Sequence, residues 1–317
     1  MNRNYAIGAD VGGTSVKLGL YSEQAGWLEK WEIPTRTEER GAHILPDTAE
    51  SIQTVCAQHG IEMDEVAGIG IGVPGPVLRD GTVCGCVNLG WDTVNVAEKL
   101  GKLTGRPVYV ANDANIAALG EQWKGAGSAY QSVVLLTLGT GVGGGVILDG
   151  HIVTGAIGAA GEVGHMPVLS ASAVRCNCGK TDCLEIAGSA TGVLRCARQL
   201  LEERSTPSAM RGYRELTAKD VCDCCAAGDA LASECIARAA DALGKAIANI
   251  ACVINPEAFL FGGGMAAAGD LLLNPIRRVF RETVFPPLRG TPIVRASLGN
   301  EAGITGGVRL VQISQDR

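Results

Sequence analysis

No stripe of basic residues runs through this 317-residue sequence: its 27 Lys and Arg are scattered among 33 Asp and Glu, for a formal net charge of −6. That balance argues against nucleic acid or an anionic membrane surface as the principal partner. No apolar run is long enough to span a bilayer. No cleavable signal is expected either, because Met1-Asn2-Arg3-Asn4 leads straight into an apolar stretch with an acid inside it. Low-complexity segments are missing too. The two Gly/Thr turns, at Gly12-Gly13-Thr14 and Gly139-Thr140-Gly141, neither read Gly-x-x-x-x-Gly-Lys-[Ser/Thr] nor open a helix as a dinucleotide fingerprint does, which disfavours phosphate-loop NTPases and nicotinamide-binding folds.

What is present is an ordinary globular composition, 46% apolar and 19% charged, long enough for two compact domains. Twelve Cys without a secretion signal suggest reduced thiols and a metal site rather than a disulfide framework, with the cytosol as expected compartment. The 44 Gly concentrate in short runs beside strands, where backbone turns sharply or approaches a ligand.

The densest chemistry lies between Gly161 and Glu185. Gly161-Glu162-Val163-Gly164-His165 is followed by Arg175-Cys176-Asn177-Cys178 and Cys183-Leu184-Glu185. One imidazole and three thiols form a tetrahedral zinc set with no open position, hence a structural metal that would hold Glu162, His165 and Glu185 in fixed relation. A run of small buried thiols is the other reading; the nearby His favours metal.

Taken in order, Tyr5 to Ala9, Ser15 to Tyr21 and Trp27 to Ile33 read as a three-stranded meander whose first turn carries Asp10, Gly12, Gly13 and Thr14. Pro46 to Gly60 has helical spacing, Val66 to Val73 reads as a buried strand, Val94 to Leu103 as a helix and Val108 to Val110 as a strand. Asp113 then stands where that strand meets the helix through Ile116 to Trp123. Working residues gather at such positions, and an N-cap carboxylate is the competing reading. Ser132 to Leu138 and Val146 to Leu148 are strands flanking Gly139-Thr140-Gly141, with a tight Asp149-Gly150 turn into His151 to Thr154. This repeats the opening plan and suggests two related halves, each with a Gly/Thr turn offering backbone N–H groups to phosphate around a shared cleft. Ala187 to Leu201 and Asp229 to Ile254 read as helices, and Glu202 to Arg214 as a loop. Cys222, Cys224 and Cys225 read as packing residues without a fourth ligand. Ala258 to Phe261 is a strand running into Gly262-Gly263-Gly264, Ile293 to Ser297 a last strand and Ala302 to Val311 a closing helix.

Together Asp10-x-Gly12-Gly13-Thr14, Asn112-Asp113-Ala114-Asn115, Leu138-Gly139-Thr140-Gly141-x-Gly143-Gly144-Gly145, Gly161-Glu162-x-Gly164-His165 and Cys176-x-Cys178-Gly179 through Cys183-x-Glu185 resemble the ROK family of sugar kinases and repressors over essentially the whole chain. The resemblance implies an α/β, two-domain, actin-like (ribonuclease H-like) ATPase fold with duplicated meander halves. The expected division is 1–113 with 303–317 against 114–302, the second part carrying the zinc. It also implies Asp113 as the base that accepts the proton of a hexose hydroxyl, with Gly75, Asn112, Glu162, His165 and Glu185 binding the sugar. Asp10, Gly12, Gly13, Thr14, Lys17, Thr140, Gly141, Gly262, Gly263 and Gly264 are implied to hold ATP and Mg²⁺. Structural Zn²⁺ falls to His165, Cys176, Cys178 and Cys183. A homodimer is expected, and no nucleic-acid or membrane partner.

Asn88-Leu89-Gly90-Trp91 and Val73-Pro74-Gly75-Pro76-Val77 resemble glucose-phosphorylating members from Gram-positive bacteria. They point to D-glucose, with N-acetylmannosamine, allose or fructose as alternatives. One departure is Asp182, where the family often has Gly. Sugar-sensing repressors carry an N-terminal helix-turn-helix extension, for which a first strand near residue 5 leaves no room. A non-catalytic zinc-ribbon module would explain the cysteines but neither Asp113 nor the repeated Gly-Thr turns.

Overall fold

The structure is a computed structural model that describes residues 4–168 and 174–315. Its first half contains β1 (Tyr5–Val11), β2 (Ser15–Ser22), β3 (Gly26–Pro34), α1 (Glu38–Gly41), α2 (Ile44–Gln58), β4 (Val66–Val73), β5 (Thr82–Cys86), β6 (Trp91–Asn95), α3 (Val96–Thr104), β7 (Val108–Asn112) and α4 (Asp113–Lys124). There follow β8 (Val133–Leu138), β9 (Val142–Leu148), β10 (His151–Ile152), α5 (Glu185–Gly188), α6 (Ala190–Glu203), α7 (Ala218–Ala226), α8 (Ala230–Ile254), β11 (Ala258–Gly262), α9 (Asp270–Thr283), β12 (Ile293–Arg295) and α10 (Ala302–Gln315). Among the described residues no helix is long and apolar enough to cross a membrane.

Two five-stranded sheets have the same plan, β3-β2-β1-β4-β7 and β10-β9-β8-β11-β12. In the first, β1 and β2 pair antiparallel while β4 and β7 run parallel to β1; in the second, β11 lies parallel to β8 and β12. The repeat expected from the two Gly-Thr turns is therefore a repeat of sheet topology.

Chain contacts divide the protein into one unit of Met1–Gln131, Gly145–Gly161 and Leu298–Arg317, and another of Ser132–Gly144 and Glu162–Ser297. The expected boundary at 113/114 differs from this division, which keeps α4 with the first unit. The reason is visible in the packing of α4 on α10, where a Cβ on Gly120 would overlap the Ala302 carbonyl and one on Gly306 the Ile116 carbonyl.

In β4 apolar and glycine positions alternate. Ile69, Ile71 and Val73 face a core shared with Ile7, Ala9, Val11 and the apolar side of α2 (Ile44, Ile52, Cys56). The opposite face is Gly68, Gly70 and Gly72, and it lets the backbone of α10 lie directly on the sheet: a Cβ on Gly70 would overlap the Gly307 carbonyl, and one on Gly8 that of Ile304. In the second unit α8 buries Ile236, Ala240, Leu243, Ile247 and Ile250 as its periodicity predicts. Asp229 caps it by accepting from the Ala232 N–H at 3.0 Å.

Some elements differ from the sequence reading. The stretch read as a helix from Val94 is strand β6 up to Asn95, whose side chain then caps α3 by accepting from the Glu98 N–H. Strand β9 begins at Val142, because Gly143 to Gly145 belong to it; at Gly145 a side chain would meet the Ala118 Cβ at 2.6 Å and the Asn115 Cα at 3.0 Å. Cys222, Cys224 and Cys225 ride on helix α7, closed at its start by a reciprocal Thr217–Asp220 capping box.

Candidate active site

Side-chain alternation on β1 decides where Asp10 goes. With Ile7, Ala9 and Val11 in the core, Asp10 shares the glycine face with Gly8. Gly303 of α10 closes over it, since a Cβ there would come within 2.5 Å of the carboxylate carbon. Lys17 stands directly opposite on β2. Burial pushes the Asp10 carboxyl up to about 6; the Asp113 charge pushes the same way and Lys17 opposes both. Gly72 on β4 runs beside both acids, its missing Cβ lying 3.5 Å from Asp10 Oδ1 and 3.6 Å from the Asp113 Cα.

Asp113 is the first residue of α4 and not its cap. Asn112 caps the helix, its Oδ1 accepting from the Ala114 N–H at 2.9 Å and the Asn115 N–H at 3.2 Å. The same amide donates from Nδ2 to the Gly75 carbonyl at 3.2 Å, so two residues expected to bind sugar are joined. Gly75 sits at φ +94°, a conformation reserved for glycine. Between β1 and β2 the hairpin tip of Gly12, Gly13 and Thr14 is exposed. It is pinned by the Gly12 N–H to Ser15 O (3.0 Å) and by Thr35 Oγ1 donating to Gly12 O (2.7 Å). A Cβ on Gly13 would meet nothing within 4 Å, so the fold itself does not demand glycine there.

In the second unit His165, Cys176, Cys178 and Cys183 converge, with one ligand atom from each lying within 4.8 Å of all the others. His165 Nδ1 is 3.5 Å from Cys176 Sγ, and Cys178 Sγ is 3.4 Å from Cys183 Sγ. Burial pushes the Cys183 thiol up to about 12, whereas the Lys180 backbone N–H lowers that of Cys178. Gly164 is required here because a Cβ would run into the Val142 carbonyl. Asp182 pairs with Lys180 at 3.5 Å and is not among the residues of positive φ, so its substitution for Gly leaves this turn unstrained. Glu162 immediately precedes the turn that carries His165, whose N–H donates to the Glu162 carbonyl at 3.1 Å.

Glu185, first residue of α5, links this cluster to the Gly139–Gly141 turn. Its Oε2 accepts from the Val142 N–H at 3.1 Å, and its Oε1 accepts from Cys176 Sγ at 3.6 Å. Its carboxylate also fills the space a side chain on Gly141 would need. Beyond that turn a largely apolar cavity of about 510 Å³ is bordered by Thr140, Ala190, Lys219, Cys222, Gly264 and Met265. Gly262 and Gly263 are not on its wall. Gly263 is glycine for local reasons, φ +82° and the Leu138 carbonyl 2.5 Å from a would-be Cβ. Helix α7 is the part of this cavity that sequence does not reveal, since the spacing of its thiols speaks only for packing. Glu121 was also missed: it is fully buried and accepts from the Ala126 (2.9 Å) and Leu298 (2.7 Å) N–H groups.

A twice-used sheet plan, each copy with a Gly-Thr hairpin, and an acid at the junction of β7 and α4 define the actin-like class of ATP-dependent sugar kinases. Within that class the chain belongs to the ROK family, whose model matches residues 6–314. It is 42% identical to a glucokinase of Halalkalibacterium halodurans over 98% of this chain and 96% of that protein. Identity to a glucokinase of Thermotoga maritima is 36%, over 96% of each. Among solved structures, a ROK family glucokinase from Streptomyces griseus in complex with glucose and AMPPNP superposes with TM-score 0.77 at 30% identity, covering 98% of this chain and 99% of that one.

Proposed function

We propose that this chain is an ATP-dependent glucokinase converting D-glucose and ATP to D-glucose 6-phosphate and ADP. The observation that carries the reading is Asp113 on the first turn of α4, beside the half-buried Asp10 and braced by an asparagine that caps the helix and holds Gly75. In this reading Asp113 accepts the proton of the 6-hydroxyl as it attacks the terminal phosphoryl group. Phosphoryl transfer asks for positioning and charge stabilisation more than covalent chemistry. Gly75, Asn112, Glu162, His165 and Glu185 take the other hydroxyls, carboxylates and amides being apt acceptors for them. The bare tips Gly12-Gly13-Thr14 and Thr140-Gly141 hold phosphates through backbone N–H and hydroxyl groups, with Lys17 adding positive charge. The cavity by Gly264 and Met265 takes the base, and Gly262 and Gly263 shape its approach.

The donor set at His165, Cys176, Cys178 and Cys183 fits Zn²⁺: tetrahedral Zn–S and Zn–N bonds of about 2.0–2.3 Å put ligand atoms roughly 3.5–3.8 Å apart, close to the spacings observed. Zinc would be structural, fixing the Gly161–Glu185 segment. With Nδ1 on the thiol side, His165 keeps Nε2 for a sugar hydroxyl. Mg²⁺ brought with ATP suits the like-charged Asp10 and Asp113, and would neutralise phosphate charge. We further propose a cytosolic homodimer; Val253 and Phe285, 82% and 60% exposed, are apolar side chains suited to cover by a second copy.

The test is a panel of glucose, N-acetylmannosamine, allose and fructose, each with ATP, compared by kcat/KM from ADP release. Glucose is expected to lead. Another sugar ahead by tenfold overturns the substrate, and no ADP with any of them overturns the kinase.

A further inference from the structure

A second recess, of about 500 Å³, lies wholly within the first unit. Its size falls in the roughly 300–1,000 Å³ range of small-ligand sites. The polar side chains around it are Arg79, Asn112, Asn115, His151, Thr154 and Ser314. Of the residues proposed above for the hexose only Asn112 lines it; Asp113, Gly75, Glu162, His165 and Glu185 do not, so the recess adjoins the proposed hexose site at that one side chain.

Two observations define what it would take. First, Asn115 is 3% exposed and its Oδ1 has no hydrogen-bond partner. A buried acceptor left empty costs about 1–3 kcal/mol, which a donor placed in the recess would recover. Second, the ionisable groups on the wall are Arg79 and His151, with no carboxylate among the described lining residues. Arg79 is exposed and makes no ion pair among the described residues. His151 donates from Nδ1 to the Asp149 carbonyl at 2.8 Å, which leaves Nε2 for a ligand, as a donor to an anion when the ring carries its second proton. Hydroxyl donors answer Asn115, and an anion answers Arg79 and His151.

We propose that this recess binds a sugar phosphate, its phosphate on Arg79 and His151 and its hydroxyls on Asn115, Asn112, Thr154 and Ser314, and that occupancy slows the kinase. The link is Asn112. The side chain a ligand would touch here is the one that caps α4 just before Asp113 and holds the Gly75 carbonyl. A ligand hydroxyl drawing on that amide loosens the start of the helix bearing the base, so kcat falls, and because Asn112 also serves the hexose the KM for glucose rises with it. The regulatory half rests on the glucokinase reading; the binding half does not.

The experiment is calorimetric titration of the full chain with glucose 6-phosphate, without ATP and with glucose held at saturation to keep the hexose site filled. Binding is expected to persist there and in Asp113→Asn, to weaken roughly tenfold in Arg79→Ala, and to exceed that of inorganic phosphate by about the same factor. Arg79 is exposed, so its alanine variant keeps the fold and its basal kcat. Initial rates should show glucose 6-phosphate lowering kcat in the wild type and much less in Arg79→Ala. Displacement by glucose, an unchanged Kd in Arg79→Ala, or equal affinity for inorganic phosphate overturns the site. Binding without any change in kcat overturns the regulation. If no hexose yields ADP, the kinase reading falls and the calorimetry still decides the site.

Discussion

Asp10 and Asp113 both lie beside Gly72, and the charge of Asp113 opposes ionisation of Asp10. Holding the Asp10 carboxyl at about 6 instead of its ordinary 3.8 amounts to roughly 3 kcal/mol of differential stability. Because the folded value is raised, the native state holds the proton more tightly. The carboxyl is neutral in both states below pH 4, and stability drains away as pH rises from about 4 through 6. Asp10→Asn, always neutral, should therefore melt higher than wild type at pH 8, with the advantage fading towards pH 4 in calorimetric scans. It should also be nearly inactive. A lower melting temperature at pH 8 would refute the burial account. Asp113→Asn should keep glucose binding by calorimetry and lose roughly 10²–10⁴-fold in kcat, the usual worth of a positioned base. Near-normal turnover would remove it from that role. The sequence left Asp113 balanced between cap and base. Asn112 supplies the cap of α4, and the Asp113 carboxylate itself accepts from the Ala114 N–H at 2.8 Å, so the turnover of Asp113→Asn is what decides between the two readings.

Among the elements, β4 gives the sharpest mechanical test. Gly70→Ala would drive a methyl group into the Gly307 carbonyl of α10, backbone against backbone with no side chain to yield. A loss of roughly 1–3 kcal/mol is expected, seen as a lower Tm, while alanine at the open Gly13 position should leave Tm unchanged. For the Gly161–Glu185 segment, about one zinc per chain should be found by metal analysis. Cys178→Ser should lose the metal and lower Tm, and equal zinc in wild type and variant would rule the site out. The buried strand at Val66 to Val73, the spacing of α8 and the Cys/His cluster were all legible because each is written in local composition, periodicity or chemistry, whereas the glycine face of β4 shows its purpose only against α10. The β5–β6 hairpin was not: Val94 to Leu103 has helical spacing throughout, and only pairing with Thr82 to Cys86 makes Trp91 to Asn95 a strand. Helix α7 was hidden for a similar reason, its value lying in the distant Thr140 and Met265 it faces across a cavity.

At the scale of the whole molecule, the repeated strand–turn–strand plan was enough to expect two like sheets. The division between units was not readable, because α4 follows β7 without a break and declares its allegiance only through glycine contacts with α10. Sedimentation equilibrium should return twice the 32.7 kDa chain mass. A concentration-independent single-chain mass would exclude the dimer.

That last helix carries a consequence for biogenesis. Strands β1 and β4 leave the ribosome early with a bare glycine face, and the segment that covers it begins only at Ala302. At translation speeds of about 5–20 residues per second, that surface waits roughly 10–30 s after Gln131 emerges. The later-made unit, complete at Ser297, has all its own parts first, so the amino-terminal sheet is the last part of the fold to be finished although it is the first to be made.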